Sequence, residues 1–385
     1  MPATEEQDME RILNHLEIDA GAIDQALAAG MTFPAAWYTD PEIHRIEVED
    51  VFRQTWQIVC FEQHVVNPGD HAVGEVGDVP VVIVRGDDGV LRGFINVCRH
   101  RAFPVAECSG NRKTLQCRYH AWTYDLDGSL RAAPRSEHEP GFDRSEFGLL
   151  PVSIEVLGGF VWGHTNPNAP SLAEEHPALH GLVEEWRIDA NQYSAPRPRT
   201  RYDIPANWKI FVENNSECYH CPTVHEGFGD AFDVTYESYT YVNEDRLSGQ
   251  TTASKQKDNV FAETSGAYRF IYIWPGTFIE VDEIRASWMK VRPVTPESCA
   301  IDWDVVADPT VPKKIADEWD AMYLATMEED YSVVAAQQQN MTSRAVPYGR
   351  LMASSESSIS HFHHIVWQEL RKLIEVSALT ASGSC

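Results

Sequence analysis

Four side chains in one short stretch combine thiolate and imidazole at a spacing that can hold metal. Cys98-Arg99-His100 is followed, after sixteen intervening residues, by Cys117-Arg118-Tyr119-His120. Two thiolates and two imidazoles so arranged can hold a [2Fe–2S] cluster, with cysteines on one iron and histidines on the other. Replacing two thiolates by neutral imidazoles removes negative charge and raises the reduction potential above that of an all-cysteine cluster. Zinc also accepts two cysteines and two histidines, but zinc-finger spacing keeps the cysteines together and the histidines together. Here each loop supplies one of each, which favours two chemically different irons. Gly110 and Asn111-Arg112-Lys113 suit an exposed turn between the ligand loops, and Cys108 matches neither pair.

A second constellation lies at 207–225, NWKIFVENNSECYHCPTVH. On a helix begun at Trp208, Glu217 and His220 are i, i+3 and share a face. Pro222 breaks such a helix and lets the chain turn back, bringing in His225. Two imidazoles on a bend, with a carboxylate from elsewhere, make a 2-His-1-carboxylate triad that leaves positions on Fe(II) open for O2 and substrate. Glu217 is then free for another role. Two other readings stay open on spacing alone. The histidines can simply sit near a helix end, or Cys218 and Cys221 can join His220 around zinc.

The elements that must position these residues fall into two groups. From Trp56 to about Phe160, short alternating segments separated by turn residues (Val79–Arg85, Asp87-Asp88-Gly89, Leu91–Val97, Asp125–Gly128) predict a small all-β domain. Beyond it, strands are expected over Tyr268–Ile279 and Ser287–Pro293, and helices from Trp208, over Pro312–Asn340 and over Ile359–Val376. Residues 5–30 read as an N-terminal arm of short amphipathic helices. The class is α+β, with an inserted all-β domain. At 385 residues and 43% hydrophobic content, the chain can bury two cores. Its formal charge of −27 argues against nucleic acid or an anionic membrane as partner. No apolar run approaches the ~20 residues of a membrane span. The sparse cysteines and an acidic N-terminus without a signal peptide point to the cytoplasm.

Taken together, Cys98, His100, Cys117, His120, the Asn207-Trp208-Lys209 segment and Glu217/His220/His225 resemble the catalytic α subunit of Rieske non-haem iron oxygenases over nearly the whole chain. The resemblance implies a Rieske [2Fe–2S] domain at 46–160. It implies a helix-grip-like antiparallel-sheet domain with flanking helices, formed by 1–45 and 161–385, around a mononuclear iron. It supplies the third iron ligand as Asp330, within Glu329-Asp330-Tyr331 followed by Gln337 and Gln338; without the family, that run reads as a solvated acidic face. It implies a homotrimer in which Glu217 bridges a cluster histidine of one subunit and an iron histidine of the next. Most aromatic-ring hydroxylases of the family have Asp at that place, and Glu resembles the branch acting on carnitine, glycine betaine or stachydrine.

The implied reaction is O2-dependent hydroxylation of a C–H bond beside the nitrogen of a small quaternary ammonium compound, with C–N cleavage or demethylation. Ring hydroxylation or O-demethylation of an aromatic acid is the alternative. No Gly-rich dinucleotide fingerprint or plant-type ferredoxin cysteine run is evident, so NAD(P)H electrons are expected through a separate flavin/iron–sulfur reductase. Tyr268, Phe270, Tyr272, Trp274 and Phe278 alternate ahead of Glu280, Asp282, Glu283 and Trp288. An aromatic wall near carboxylates suits an ammonium group, and Tyr272, Trp274 and Trp288 are the expected pocket residues; alternate aromatics on a half-buried strand also serve as plain core. From other classes, a pure electron carrier leaves everything after residue 160 without a role, and a zinc-stapled binding protein predicts a colourless chain.

Overall fold

The computed structural model describes residues 19–381 except Pro198, Ser254, 256–266 and Glu283. Most of the N-terminal arm and Glu283 therefore lie outside the described residues. Of the arm, Ala20–Ala28 is helical, with the Asp19 carboxylate accepting from the Ala22 N–H at 3.0 Å. The chain forms two units, Val48–Pro196 and the residues up to Glu47 with those from Arg197 onward.

Val48–Pro196 is built on an antiparallel sheet. Its strands lie in the order Gln57–Phe61, Phe160–His164, Pro151–Leu157, Leu91–Ile95, Val79–Arg85, Asp70–Val76 and Gly110–Asn111. The tight turn into Phe160–His164 uses Gly158 and Gly159, both at positive φ (64° and 79°), where a Cβ would be strained. A smaller sheet pairs Leu115–Gln116, Thr123–Tyr124 and Leu130–Ala132. The expected boundary at 160 falls inside this unit, for reasons visible in its hydrogen bonds. Phe160–His164 pairs directly with Gln57–Phe61, the Trp56 indole donates to the Pro170 carbonyl at 2.9 Å, and the Ala190 N–H donates to the Gly158 carbonyl at 2.8 Å. Residues 161–196 are thus laced to the β unit.

In the other unit, seven antiparallel strands pair in the order Thr200–Ile204, Ser298–Ala307, Arg285–Thr295, Thr277–Val281, Ala267–Ile273, Leu247–Ala253 and Thr240–Glu244. The strand expected over Tyr268–Ile279 is two strands, because Trp274-Pro275-Gly276 turns the chain and Pro275 has no N–H to give a ladder. Three helices position the site. Trp208–Asn215, capped by the Asn207 side chain accepting from Lys209 N–H at 2.9 Å, is buried on nearly every side. Its polar residues are paired: Lys209 Nζ lies 2.6 Å from Glu47, and Glu213 accepts from Tyr38 at 2.7 Å and pairs with His363 at 2.9 Å. Burying the ammonium would cost several kcal/mol without such a partner.

The helix Lys313–Ser343 is 31 residues long. Its buried residues, Trp319, Tyr323, Met327, Asp330, Val334 and Gln338, follow the three-and-four spacing of one helical stripe. Ser357–Ala381 closes the unit, with Phe362 packed edge-on against Trp208 and Tyr272.

Candidate active site

The two Cys–His loops have the same backbone plan. Cys98 N–H donates to the Phe103 carbonyl and receives Ala102 N–H on its own carbonyl; Cys117 N–H donates to the Trp122 carbonyl and receives Ala121 N–H. Ala102 and Ala121 both stand at positive φ, 57° and 59°. Each loop therefore turns its cysteine inward and its histidine outward. Cys98 and Cys117 are buried and His100 and His120 exposed, their rings 4.6 Å apart between centroids and inclined by 76°. The Tyr124 hydroxyl accepts from Arg99 N–H at 3.0 Å and lies 3.4 Å from Cys98 Sγ. Slight desolvation of this exposed ring, with the charges of His120 and Arg101, lowers the His100 pKa and favours the neutral imidazole that metals bind. Two soft sulfurs inside and two imidazoles outside suit a cluster with two unlike irons better than a symmetric zinc site.

The second constellation departs from the helix expected to carry it. Asn214-Asn215-Ser216 ends the helix, with Asn215 and Ser216 side chains donating to the Phe211 and Val212 carbonyls. Glu217 and His220 thus occupy a turn, not a helix face. The Glu217 carboxylate accepts from Tyr219 N–H and His220 N–H. Pro222 then sits at the start of the short helix Cys221–Val224, ahead of His225. Cys218 and Cys221 are joined as a disulfide, which removes both thiolates from the rival zinc set.

Three atoms converge here: His220 Nε2, His225 Nε2 and Asp330 Oδ1, separated by 3.1, 3.3 and 3.0 Å. Behind them, His220 Nδ1 lies 2.5 Å from Glu217 Oε1 and His225 Nδ1 lies 2.8 Å from Glu329 Oε2. With each Nδ1–H given to a carboxylate, each Nε2 presents a lone pair. Three acceptors facing one another repel unless a cation or protons lie between them. Burial alone would lower the His220 pKa, but Asp330 and Glu217 outweigh it and raise it to about 10; His225 is raised too, chiefly by Asp330 against the same burial. Two imidazoles and one carboxylate with a free side are the donor set of non-haem Fe(II). Glu329, which sequence reasoning left on a solvated face, holds the second imidazole. The signal that could have placed this pair was the buried stripe on which Asp330 falls, beside Met327 and Val334.

A cavity of about 70 Å³ opens beside the triad, lined in part by Tyr268, Phe270, Glu280, Gln250, Tyr239 and Tyr323. None of the three expected pocket residues lines it. Tyr272 is buried with its hydroxyl on the Pro275 carbonyl at 2.9 Å and its ring against Phe278 and Phe362. Trp274, past the strand end, packs against Trp208. Trp288 pairs with Ile279, on the sheet face opposite Glu280, and lies under Arg199. The alternating aromatics included Tyr268 and Phe270, which do line the cavity, but the three singled out from that region stand at positions that miss it.

A β unit bearing paired Cys–His loops and, in the same chain, a sheet-and-helix unit bearing a 2-His-1-carboxylate triad define a Rieske-type oxygenase. Residues 55–148 match the Rieske [2Fe-2S] domain family, and 192–371 match the ring hydroxylating alpha subunit (catalytic domain) family. The chain is 33% identical over 353 residues to the carnitine monooxygenase oxygenase subunit of Escherichia coli (strain K12), covering 88% of this chain and 93% of that one. It is 29% identical over 364 residues to the chloroplastic choline monooxygenase of Arabidopsis thaliana, covering 90% and 84%. The crystal structure of a quaternary ammonium Rieske monooxygenase with L-carnitine superposes with a TM-score of 0.77 at 28% identity, over 88% of this chain and 95% of that one. This chain belongs to the Rieske oxygenase catalytic-subunit family. It is an oxidoreductase whose cofactors are a Rieske cluster and a mononuclear iron, and a separate reductase feeds it electrons. No helix among the described residues is long and apolar enough to cross a membrane.

Proposed function

We propose that this enzyme hydroxylates a carbon next to the nitrogen of a small quaternary ammonium compound. Cys98, His100, Cys117 and His120 hold the cluster, and His220, His225 and Asp330 hold the iron. The observation that carries the substrate class is the cavity beside the triad, where Tyr268 and Phe270 stand with the buried carboxylate of Glu280. Aromatic faces and an anion attract a cation without N–H groups and disfavour the carboxylate of an aromatic acid. The relatives named for carnitine and choline support the same class.

When bound, the cluster supplies electrons and the mononuclear iron activates O2. Substrate C–H, O2, two electrons and two protons give C–OH and water. The resulting hemiaminal loses its hydroxyl proton as the carbonyl forms, and the C–N bond breaks with its electron pair leaving on a tertiary amine. His220, His225 and Asp330 would hold the iron and all three line the cavity, so a substrate bound there would have its reacting carbon held next to them. Glu217 and Glu329 keep the imidazoles in the tautomer that leaves Nε2 free.

In this reading, Glu217 also carries the inter-subunit path. Its Oε1 already engages His220, and in a homotrimer a cluster histidine of the neighbour completes the bridge. The enzyme works in the cytoplasm with a flavin/iron–sulfur reductase. The test is product analysis with NAD(P)H, a competent reductase and a panel of carnitine, γ-butyrobetaine, choline, glycine betaine and aromatic acids. Release of a tertiary amine, or of formaldehyde from an N-methyl group, is expected from the ammonium compounds; turnover of aromatic acids alone sinks the proposal. Glu217→Gln, assayed at saturating Fe(II) because its carboxylate also orients His220, should slow single-turnover cluster oxidation by roughly 100-fold. A wild-type rate in that variant removes the bridge.

A further inference from the structure

One transverse row of the catalytic sheet faces the cavity with an unusual alternation of chemistry. Gln250 pairs with Phe270, Phe270 with Glu280, and Glu280 with Ser287, so these side chains stand abreast across four strands on one face. The first three line the cavity. The aromatic ring is thus flanked by an amide and a carboxylate, and Tyr268 stacks along it at 6.3 Å between centroids.

Both flanking groups are at least nine-tenths buried, Gln250 at 8% exposure and Glu280 at 2%. Gln250 Oε1 has no hydrogen-bond partner among the described residues. Glu280 is held from behind: Ser287 donates to its Oε2 at 2.9 Å, Tyr323 donates to its Oε1, and Arg285 lies 3.3 Å from Oε2. Arg285 does not line the cavity. Its guanidinium lies flat over the Trp319 ring at 3.2 Å and near Tyr323 at 4.5 Å, and it also pairs with Asp282 at 3.6 Å. The cavity therefore meets the carboxylate and not the guanidinium behind it. An orphaned amide oxygen, an aromatic face and a fixed carboxylate offer acceptors and π-density to whatever enters.

We infer that Glu280, with Gln250 on the other side of Phe270, seats the positively charged nitrogen of the substrate and sets the selectivity for cations. This rests on the quaternary ammonium reading and names the residues that enforce it. A trimethylammonium group has no N–H to donate, so its charge is shared among its methyl groups and is met by oxygens and ring faces together. Burial raises the Glu280 pKa against the opposing effect of Arg285, so a cation in the cavity also favours the ionised carboxylate. Gln250 contributes an oxygen without a second charge, which leaves Glu280 the determinant of charge and Gln250 a positioning residue.

The experiment compares a charged probe with its neutral isostere: choline against 3,3-dimethylbutan-1-ol, and tetramethylammonium against neopentane-like alcohols of equal size. Binding is read by calorimetry on the metal-loaded protein, and circular dichroism with a thermal melt confirms folding of each variant. In the wild type the charged probes bind more tightly than the neutral ones. Glu280→Gln keeps the shape and removes the charge, so cation affinity should fall at least ~30-fold while neutral-probe affinity holds. Glu280→Asp keeps the charge on a shorter arm and should retain a cation preference reduced several-fold; it serves should the Gln variant not fold. Cation preference unchanged in Glu280→Gln, or abolished in Glu280→Asp, overturns the assignment of Glu280 while leaving the substrate class standing. A wild type indifferent to charge overturns the substrate class and this inference with it.

Discussion

The two proposed metal sites differ in the distance along the chain over which each is assembled. The cluster residues Cys98, His100, Cys117 and His120 come from two turns of one backbone plan, each closed by its own short-range hydrogen bonds. The triad takes His220 and His225 from one turn and Asp330 from the middle of a long helix reached only after the whole sheet has been laid down. A local site depends on turn chemistry and tolerates change elsewhere in the fold. A distributed site depends on how a helix stripe registers against a loop, so it needs supporting carboxylates to hold its imidazoles. Glu217 and Glu329 do this, one on each ring.

That contrast can be broken most directly at the cluster. Cys117→Ser should abolish the cluster's visible absorption and lower turnover by at least ~1000-fold, while Fe(II) binding at the triad persists because the two sites share no ligand. Loss of both metals together would show that the sites are one cooperative structure. Next in size, Asp330→Asn removes the only anionic group of the triad and should cut Fe(II) affinity by more than ~100-fold without touching the cluster spectrum. Iron retained at wild-type affinity would mean another carboxylate is the ligand.

Glu329→Gln sharpens the comparison, since it tests a support and not a ligand. It should weaken Fe(II) binding by ~10- to 100-fold, as loss of an outer carboxylate on a metal-bound imidazole does. Wild-type affinity would leave Glu329 a surface residue.

The metal-free triad also predicts a pH dependence. The His220 pKa rises from its ordinary 6.5 to about 10, so the folded apoprotein holds that proton more tightly than the unfolded chain does. Its stabilisation is complete below 6.5 and is lost as pH rises through about 10. Iron must displace this proton, so Fe(II) affinity should climb about tenfold per unit between pH 6.5 and 8.5, read by competition with a chelator. A flat profile would mean that the imidazole is already neutral. The smallest effect belongs to the cluster loops. Ala102→Gly or Ala121→Gly relieves a left-handed backbone and should stabilise by up to ~1 kcal/mol in denaturant unfolding. Equal gains at the two positions would support the shared plan, and destabilisation at either would contradict it.

Much of the molecule was legible in the order of residues. Cys98, His100, Cys117 and His120 stood out as proposed cluster ligands because cysteine and histidine at such fixed offsets leave few other chemistries. His220 and His225 stood five residues apart around Pro222, a spacing that left core histidines and a zinc set open beside the iron reading. Asp330 came only through resemblance to a family, since Glu328-Glu329-Asp330 alone reads as solvated acid. The pocket was misplaced for a physical reason. Tyr272 shares the face of Phe270, yet it lies one step further along the strand, under Phe278 and Phe362. Trp288 belongs to the opposite face.

What the sequence determined by itself was what short-range offsets set: the paired Cys–His loops, the strand alternation and the division into a β unit and a mixed unit. Resemblance to a family pointed to Asp330, and tertiary structure decided which acid supports each imidazole and which of many aromatic side chains faces the cavity. Those outcomes depend on the register of a helix stripe and of a row across four strands, and register is fixed by packing between segments a hundred residues apart.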